Sequence, residues 1–407
     1  MKRKICVFAL ILALSSTVSA YAAPYSILID NTPVSFTQSS GQPFLDENER
    51  TQVPLRLTME SFGCSVSWNE TAKTAIVEKD DIIIKVPIGE NHILINGVKK
   101  ETDASAMIKD GRTYLPIRAV LEAFGATVRW MPHTNTILVT SANPATGILT
   151  VHFIDVGQAD AILIDNGTFE VLIDGGNNKD GQNVVAYLAD YVDGALELVI
   201  ASHPDADHIG GLDDVFSAYD IVTLIDSGDT KDTKTYQDYW NAVISEANCK
   251  ILYDDDMIID IGNGARLEII ETGDGYKNTN DNSVVALLTY GSTTVLFTGD
   301  MEKEAEAASL TRYGKVTVLK MGHHGSKTSS SQAFLDLTNP DYVIISAGAG
   351  NSYKHPHQET LQRALAVDAT IYGTFKSGTV IMTTDGKNVR FNTTNKINLS
   401  DAGDYTG

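Results

Sequence analysis

Between His203 and His208 the chain sets two histidines and two aspartates within six residues, flanked by an apolar run and a helical pattern. Residues 198–201, Leu-Val-Ile-Ala, read as a buried strand. Ile209-Gly-Gly-Leu212 and the polar–apolar stretch to Tyr219 read as a helix. Strand, ligand-rich turn and helix is how an α/β protein holds a metal at the carboxyl end of its sheet. Such a turn lets alternate side chains converge on one point. Neutral imidazole nitrogen with charged carboxylate oxygen suits zinc, manganese or iron. Asp207 alone would serve as a helix N-cap, but a cap has no need of two flanking histidines.

The same arrangement recurs along residues 148–395. Strands are expected at 149–156, 161–164, 171–173, 221–225, 266–271, 283–288, 294–297, 316–320 and 342–346, with helices at 180–192, 236–246 and 302–312. Ligand-type residues follow the strands: Asp174-Gly-Gly176, Thr298-Gly-Asp300, Met321-Gly-His323-His324-Gly-Ser326-Lys327, and Asn351-Ser-Tyr-Lys-His355-Pro-His357. Six of the nine histidines fall in three such clusters, which argues for one shared site. Asp174 reads as structural support, since two following glycines let other backbone approach closely. His152, inside a strand, reads as structural. His323 and His324 are consecutive, so at most one is expected to face the metals. The polar tail after Asn395 is expected to fray.

The first half is a repeat. Val53-Pro-Leu-Arg56 returns as Leu115-Pro-Ile-Arg118, Glu60 as Glu122, Phe62-Gly63 as Phe124-Gly125, Val66 as Val128, Trp68 as Trp130 and Val77 as Val139, all 62 residues on. One offset for so many matches means a duplicated unit. Each copy reads as a short strand, a helix started by Pro and stopped by Gly, then a hairpin. Phe62, Trp68 and their counterparts are expected to form the core of each copy. His92 and His133 stand alone, so no catalytic set is expected here. Residues 142–147 read as a short Pro/Gly linker.

Residues 1–22 read as a secretory signal peptide: basic Met1-Lys-Arg-Lys4, apolar 5–14, and small-x-small Ala20-Tyr-Ala22. No later stretch is long and apolar enough to span a membrane. Losing Lys2, Arg3 and Lys4 takes the net charge from −21 to −24, which excludes a broad basic groove for nucleic acid. Cys64 and Cys249 then remain, in different halves, so a disulfide framework is not expected.

Two resemblances follow. Residues 25–141 resemble the copper amine oxidase N-terminal-like domain, a stalk module, which here implies a spacer or a cell-surface binding module and no copper. Residues 148–392 resemble the metallo-β-lactamase superfamily, and most closely its ComEC-like hydrolase domains. The motifs that carry this are Asp155-Val-Gly-Gln-Ala-Asp160, Asp174-Gly-Gly176, Ser202-His-Pro-Asp-Ala-Asp-His-Ile-Gly-Gly211, Thr298-Gly-Asp300, His323-His-Gly-Ser326 and His355-Pro-His357. The resemblance implies an α/β fold, an αββα sandwich with its site along one edge of the two sheets, behind a duplicated α+β stalk domain. Asp205 stands where the commoner His-x-His-x-Asp-His pattern has its second histidine. No histidine lies between His208 and Asp300, and Asn282-Ser283 matches the Asn-Ser pair of the ComEC-like group.

The implied ligands are His203, Asp205 and Asp300 at one position. At the other they are Asp207, His208, Asp300 and a late histidine, His355 or His357. One or two divalent ions, zinc or manganese, are expected. The expected function is a secreted metal-dependent phosphodiesterase or nuclease acting by metal-activated hydroxide. Asp207, His324 and Lys327 are the expected catalytic residues, with His324 protonating the leaving oxygen. His323, Ser326 and Asn282 are expected to touch a small-molecule or nucleic-acid phosphodiester, with Ser326, Lys327 and residues 329–331 as a phosphate patch. Hydrolysis of a small ester, lactone or amide is the alternative chemistry. A cell-surface binding protein with an idle hydrolase-like domain is the alternative class.

Overall fold

The structure is a computed structural model of the 407-residue chain. It describes residues 25–29, 32–46, 50–131, 136–141, 147–273 and 275–404. The leader 1–22, His133 and linker residues 142–146 lie outside the described residues. The chain divides into two compact units, one made mostly of 33–124 and the other mostly of 138–407. Among the described residues no helix is long and apolar enough to cross a membrane.

In the first unit, strand Thr51–Pro54 runs into helix Leu55–Ser61, because proline cannot continue a strand ladder but suits a helix start. Gly63, at φ 83°, ends the helix, and the hairpin Ser65–Asn69 with Thr74–Lys79 follows. Strand Arg112–Pro116, helix Ile117–Ala123, Gly125 and strands Thr127–Met131 and Thr136–Thr140 repeat the order. Phe62 and Phe124 are buried with ring centroids 6.3 Å apart. The tryptophans do not join them. Trp130 is 37% exposed, and Trp68 is partly exposed with Nε1 donating to Glu70 at 2.6 Å. An indole N–H needs an acceptor, and here the acceptor sits at the surface.

The strands of the second unit are β1 (Leu149–Phe153), β2 (Ile162–Asp165), β3 (Glu170–Ile173), β4 (Leu198–Ala201), β5 (Thr223–Asp226), β6 (Lys250–Tyr253), β7 (Met257–Asp260), β8 (Ala265–Ile270), β9 (Val285–Tyr290), β10 (Thr293–Phe297), β11 (Val318–Lys320), β12 (Tyr342–Ile345), β13 (Thr370–Gly373), β14 (Val380–Thr384) and β15 (Val389–Phe391). They form two sheets, ordered β6-β5-β4-β3-β2-β1-β14-β15 and β7-β8-β9-β10-β11-β12-β13. β3 to β6 are parallel in the first sheet, and β10 to β13 in the second. The helices used below are α1 (Gly181–Leu188), α2 (Ala206–Ile209), α3 (Leu212–Ala218), α4 (Lys234–Ser245), α5 (Lys303–Ser309), α6 (Gln332–Thr338) and α7 (Gln358–Ala366).

Between the sheets, Phe153, Ile173, Ile200 and Ile225 meet Leu267, Ile269, Leu288 and Phe297. Each such side chain contributes about 1.5–3 kcal/mol when fully buried. On the outer face of the first sheet, Leu172, Val199 and Leu224 pack on Val184, Val215 and Val243 of α1, α3 and α4. Outside the second, Leu296, Leu319 and Val343 pack on Ala305, Phe334 and Leu361 of α5, α6 and α7. The layers are helix, sheet, sheet, helix, the αββα sandwich expected. Every residue of β4 is buried because parallel strands are covered on both faces.

Two local readings differ. The helix expected from Ile209 to Tyr219 is broken into α2 and α3 at Gly210 and Gly211. A Cβ on Gly211 would lie 2.2 Å from the carbonyl oxygen of Gly175, so two glycine pairs rest backbone on backbone. The tail expected to fray packs instead. Ile397 is 2% exposed, its N–H donates to the Ile371 carbonyl at 2.9 Å, and the Gly403 N–H donates to that of Pro356 at 2.9 Å. Two apolar residues, Ile397 and Ala402, anchor an otherwise polar stretch.

Candidate metal centre

The carboxyl ends of β3, β4, β10, β11 and β12 supply the site. Asp174, after β3, has a left-handed φ of 59°. Its carboxylate accepts the Ser202 N–H at 2.8 Å, the Ser202 hydroxyl at 2.7 Å and His208 Nδ1 at 2.8 Å. A carboxylate on Nδ1 fixes the ring and leaves Nε2 for another partner. After β10 comes Gly299, at φ 49°, where a Cβ would lie 2.9 Å from Ser283 Cβ. The glycine lets the turn close so that the Asp300 N–H reaches Ser283 Oγ at 3.1 Å. After β11, His323 and His324 both take left-handed φ, 49° and 53°, at about 1–2 kcal/mol each. The turn buries His324, whose Nδ1 donates to the Ser346 carbonyl at 3.0 Å after β12.

The free ends converge. His208 Nε2 is 3.3 Å from Asp300 Oδ1, and His324 Nε2 is 3.4 Å from Asp207 Oδ2 and 3.7 Å from Asp300 Oδ2. His203 and His208 have ring centroids 4.1 Å apart. Nε2 of His203, His208 and His324, with Oδ1 of Asp300 and Asp160, are buried without a hydrogen-bond partner among the described residues. Donor atoms of His203, His208 and Asp300 lie within 4.8 Å of one another, as do those of Asp207, His208 and His324, and of Asp160, Asp300 and His324. Each buried unpartnered polar atom costs about 1–3 kcal/mol. Nitrogen and oxygen ligands held at ~2 Å by one tetrahedral cation stand ~3.3 Å apart. The residues fit divalent metal.

The electrostatics agree. Burial, with the charge of His208, pushes His203 down to about 4, which keeps it a neutral donor. Burial opposes charge on His208 and His324, yet Asp300, with Asp174 and Asp160 respectively, raises both. Burial would raise Asp300 too, but His324, His208 and His323 hold it well below the carboxylate range. The carboxylates demand positive charge at this point.

Residues 154–349 match the family model of the Metallo-beta-lactamase superfamily. The second unit is a metallo-beta-lactamase superfamily domain. Residues 28–139 match the Copper amine oxidase N-terminal domain. The chain is 32% identical over 235 residues to "Recombination protein 2" of Haemophilus influenzae, a match covering 56% of this chain and 28% of that protein. It is 27% identical over 257 residues to "ComE operon protein 3" of Bacillus subtilis, covering 56% and 32%. The chain therefore spans less than half the length of these curated relatives. Among solved structures, the metallo-beta-lactamase fold protein YhfI from Bacillus subtilis is 13% identical, covers 58% of this chain and 100% of its own, and has a TM-score of 0.41.

The metallo-beta-lactamase domain groups His203, Asp207, His208, Asp300 and His324, with Asp174 behind them. It does not bring His355 or His357 into these groups. His355 Nδ1 faces Gln158 Nε2 at 3.3 Å, its ring is 6.4 Å from that of His324, and burial with its neighbours' charge pushes it down to about 3. His357 Nδ1 accepts the Lys327 N–H at 3.1 Å. Asp205 lies 3.7 Å from His203 Nε2 but is paired with Lys231. Asn282 spends its amide on Tyr276 backbone and on Asp229 at 2.7 Å, so it shapes a loop, while Ser283 beside it holds Asp300.

Lys327 is exposed, and Ser326 Oγ bonds Thr328 Oγ1 at 2.9 Å. The expected phosphate patch is otherwise closed. Ser329 and Ser330 are buried, and the N–H groups of Ser330 and Ser331 donate to Glu306 at 2.5 and 2.9 Å. His323 is partly exposed, with Nδ1 2.9 Å from Glu302 and Nε2 3.6 Å from Asp300 Oδ2. Sequence reasoning assigned no role to Asp160, Lys320 or Glu302. Lys320 closes an apolar strand, a place where a lysine ordinarily turns to solvent, and this was the one signal available.

Proposed function

We propose that this chain is a metal-dependent phosphodiesterase, exported under its leader. The observation that carries the reading is the cluster of buried, unpartnered donor atoms from His203, His208, Asp300 and His324. An idle hydrolase-like domain kept only as a scaffold has no use for that cost. Metal is held by these four with Asp207, as one ion or two. A divalent ion held by these residues would supply Lewis-acid chemistry, a polarised phosphoryl group and a water of lowered pKa.

The chain's own residues do the rest. Asp174 and the Ser346 carbonyl hold His208 and His324 in one orientation, so no rearrangement is needed during reaction. His323 carries the proton. It is backed by Glu302, reaches the edge of the donor cluster and touches solvent, which suits protonation of a leaving oxygen. In this reading His323, expected to touch the substrate, takes the proton-transfer role expected of His324, and His324, buried by the left-handed turn, takes the ligand place expected of His355 or His357. The relative named for recombination supports a phosphodiester over a lactone. The net charge of −24 left after the leader, −21 minus the three positive charges of Lys2, Arg3 and Lys4, supports a short substrate over a long duplex.

The test is turnover of a dinucleotide, bis(p-nitrophenyl) phosphate and a γ-lactone by the full chain. Phosphodiester cleavage should stop with EDTA and return with zinc or manganese. Cleavage of the lactone alone would replace this reading with the ester-type one.

A further inference from the structure

The first unit contains a cleft of about 720 Å³, a size within the range of small-molecule sites. Arg56, Glu60, Ser39, Ser67, Trp68 and Thr113 line it. Trp68 donates its only N–H to Glu70, which fixes the ring and leaves the indole face to whatever enters. Arg56 Nη1 bonds Glu60 at 3.1 Å and the Val66 carbonyl at 2.8 Å. Its Nε and Nη2 have no hydrogen-bond partner among the described residues.

The duplication supplies an independent observation. Four buried positions drift between the copies, Val53 to Leu115, Leu55 to Ile117, Met59 to Leu121 and Cys64 to Ala126, while buried Phe62 and Val77 are kept as Phe124 and Val139. A core tolerates such changes while volume is kept. Arg56, Glu60 and Trp68 return unchanged as Arg118, Glu122 and Trp130. The arginines and glutamates are exposed and Trp130 is 37% exposed, so packing does not demand them. The Arg56 tie to the Val66 carbonyl gives the arginine a structural use, but it does not account for a surface tryptophan.

We propose that this cleft binds a neutral saccharide chain. An indole face takes the C–H face of a sugar ring. The spare guanidinium donors, a carboxylate and three hydroxyls match the ring's hydroxyl groups. Glu60 is paired with Arg56 and Glu70 with Lys73, and the Arg112 guanidinium, which also lines the cleft, donates to the Ser39, Asp110 and Gln38 carbonyls, so each charged group of the wall already has a partner. A polyanion would meet both carboxylates, and an apolar ligand would strand the polar wall.

The full chain should be retarded in native gels containing glycol chitin, hydroxyethyl cellulose or dextran, and not in gels containing heparin. Trp68→Ala should weaken the retardation about tenfold or more, and Trp68→Tyr should keep it. With Trp130→Phe and Trp240→Phe, Trp68 is the last of the three tryptophans, and its emission should shift on adding the retarding polysaccharide. This reads the cleft without reference to hydrolysis. Absence of retardation by all three neutral polymers, retardation by heparin alone, or a Trp68→Ala variant that binds like the parent overturns the proposal.

Discussion

Lys320 Nζ lies 2.7 Å from Asp160 Oδ2, with both side chains almost fully buried. The lysine also donates to the Met321 carbonyl at 3.0 Å, and Asp160 Oδ1 stands 3.7 Å from His324 Nδ1. A buried cation thus holds a carboxylate at the wall of the metal centre. Lys320→Met leaves that carboxylate unpaired and should cost about 3–5 kcal/mol in urea unfolding of the full chain. Lys320→Met with Asp160→Leu should recover most of the loss, since an apolar pair of similar volume substitutes for a buried ion pair. A single variant as stable as the parent would show that the pair carries no such constraint.

His323 and Glu302 give a kinetic prediction. His323→Ala should keep its metal and lose roughly 10²–10⁴-fold in kcat on a dinucleotide. Nitrophenolate leaves without a proton, so the loss on bis(p-nitrophenyl) phosphate should be much smaller. Glu302→Gln should fall in the same direction by less, because it removes the carboxylate beside Nδ1 and leaves the ring in place. Equal losses on both substrates would mean that His323 positions the substrate and transfers no proton.

Much of this arrangement was legible in the sequence. That His203, Asp207, His208 and Asp300 come together was readable because they follow apolar runs, which puts them at the carboxyl ends of strands on one edge of the sheets. Which late histidine joins that group was not. The spacing of His355-Pro-His357 looks like a ligand pair, whereas His323 and His324 look interchangeable. What separates them is a left-handed backbone at two non-glycine residues, imposed by packing between β11 and β12 and invisible to any pattern of residue types. Lys320 was missed because burial of a lysine depends on a partner 160 positions away in the chain. Trp68 and Trp130 were misplaced because hydrophobicity alone ignores the indole N–H.

Stability should also depend on pH through Glu170. Burial first, then the charges of Glu197, Asp165 and Asp193, pushes its carboxyl up to about 7 from an ordinary 4.5. The folded state therefore holds this proton more tightly than the unfolded chain. Its contribution is fully present below pH 4.5 and is lost as pH rises through 7. Glu170→Gln should remove that slope. It should be near neutral at pH 5 and stabilising at pH 8, by about 1–2 kcal/mol once the partial exposure of Glu197 is allowed for. Urea unfolding across this range checks it, and parallel curves for parent and variant would contradict it.

We propose that His324, and neither His355 nor His357, completes the metal centre with His203, Asp207, His208 and Asp300. The most direct measurement is the metal content of the purified full chain by mass spectrometry, for the parent, His324→Ala and His357→Ala. Metal lost in His324→Ala and kept in His357→Ala is the predicted result. Full metal in His324→Ala, with loss in His357→Ala, would contradict it.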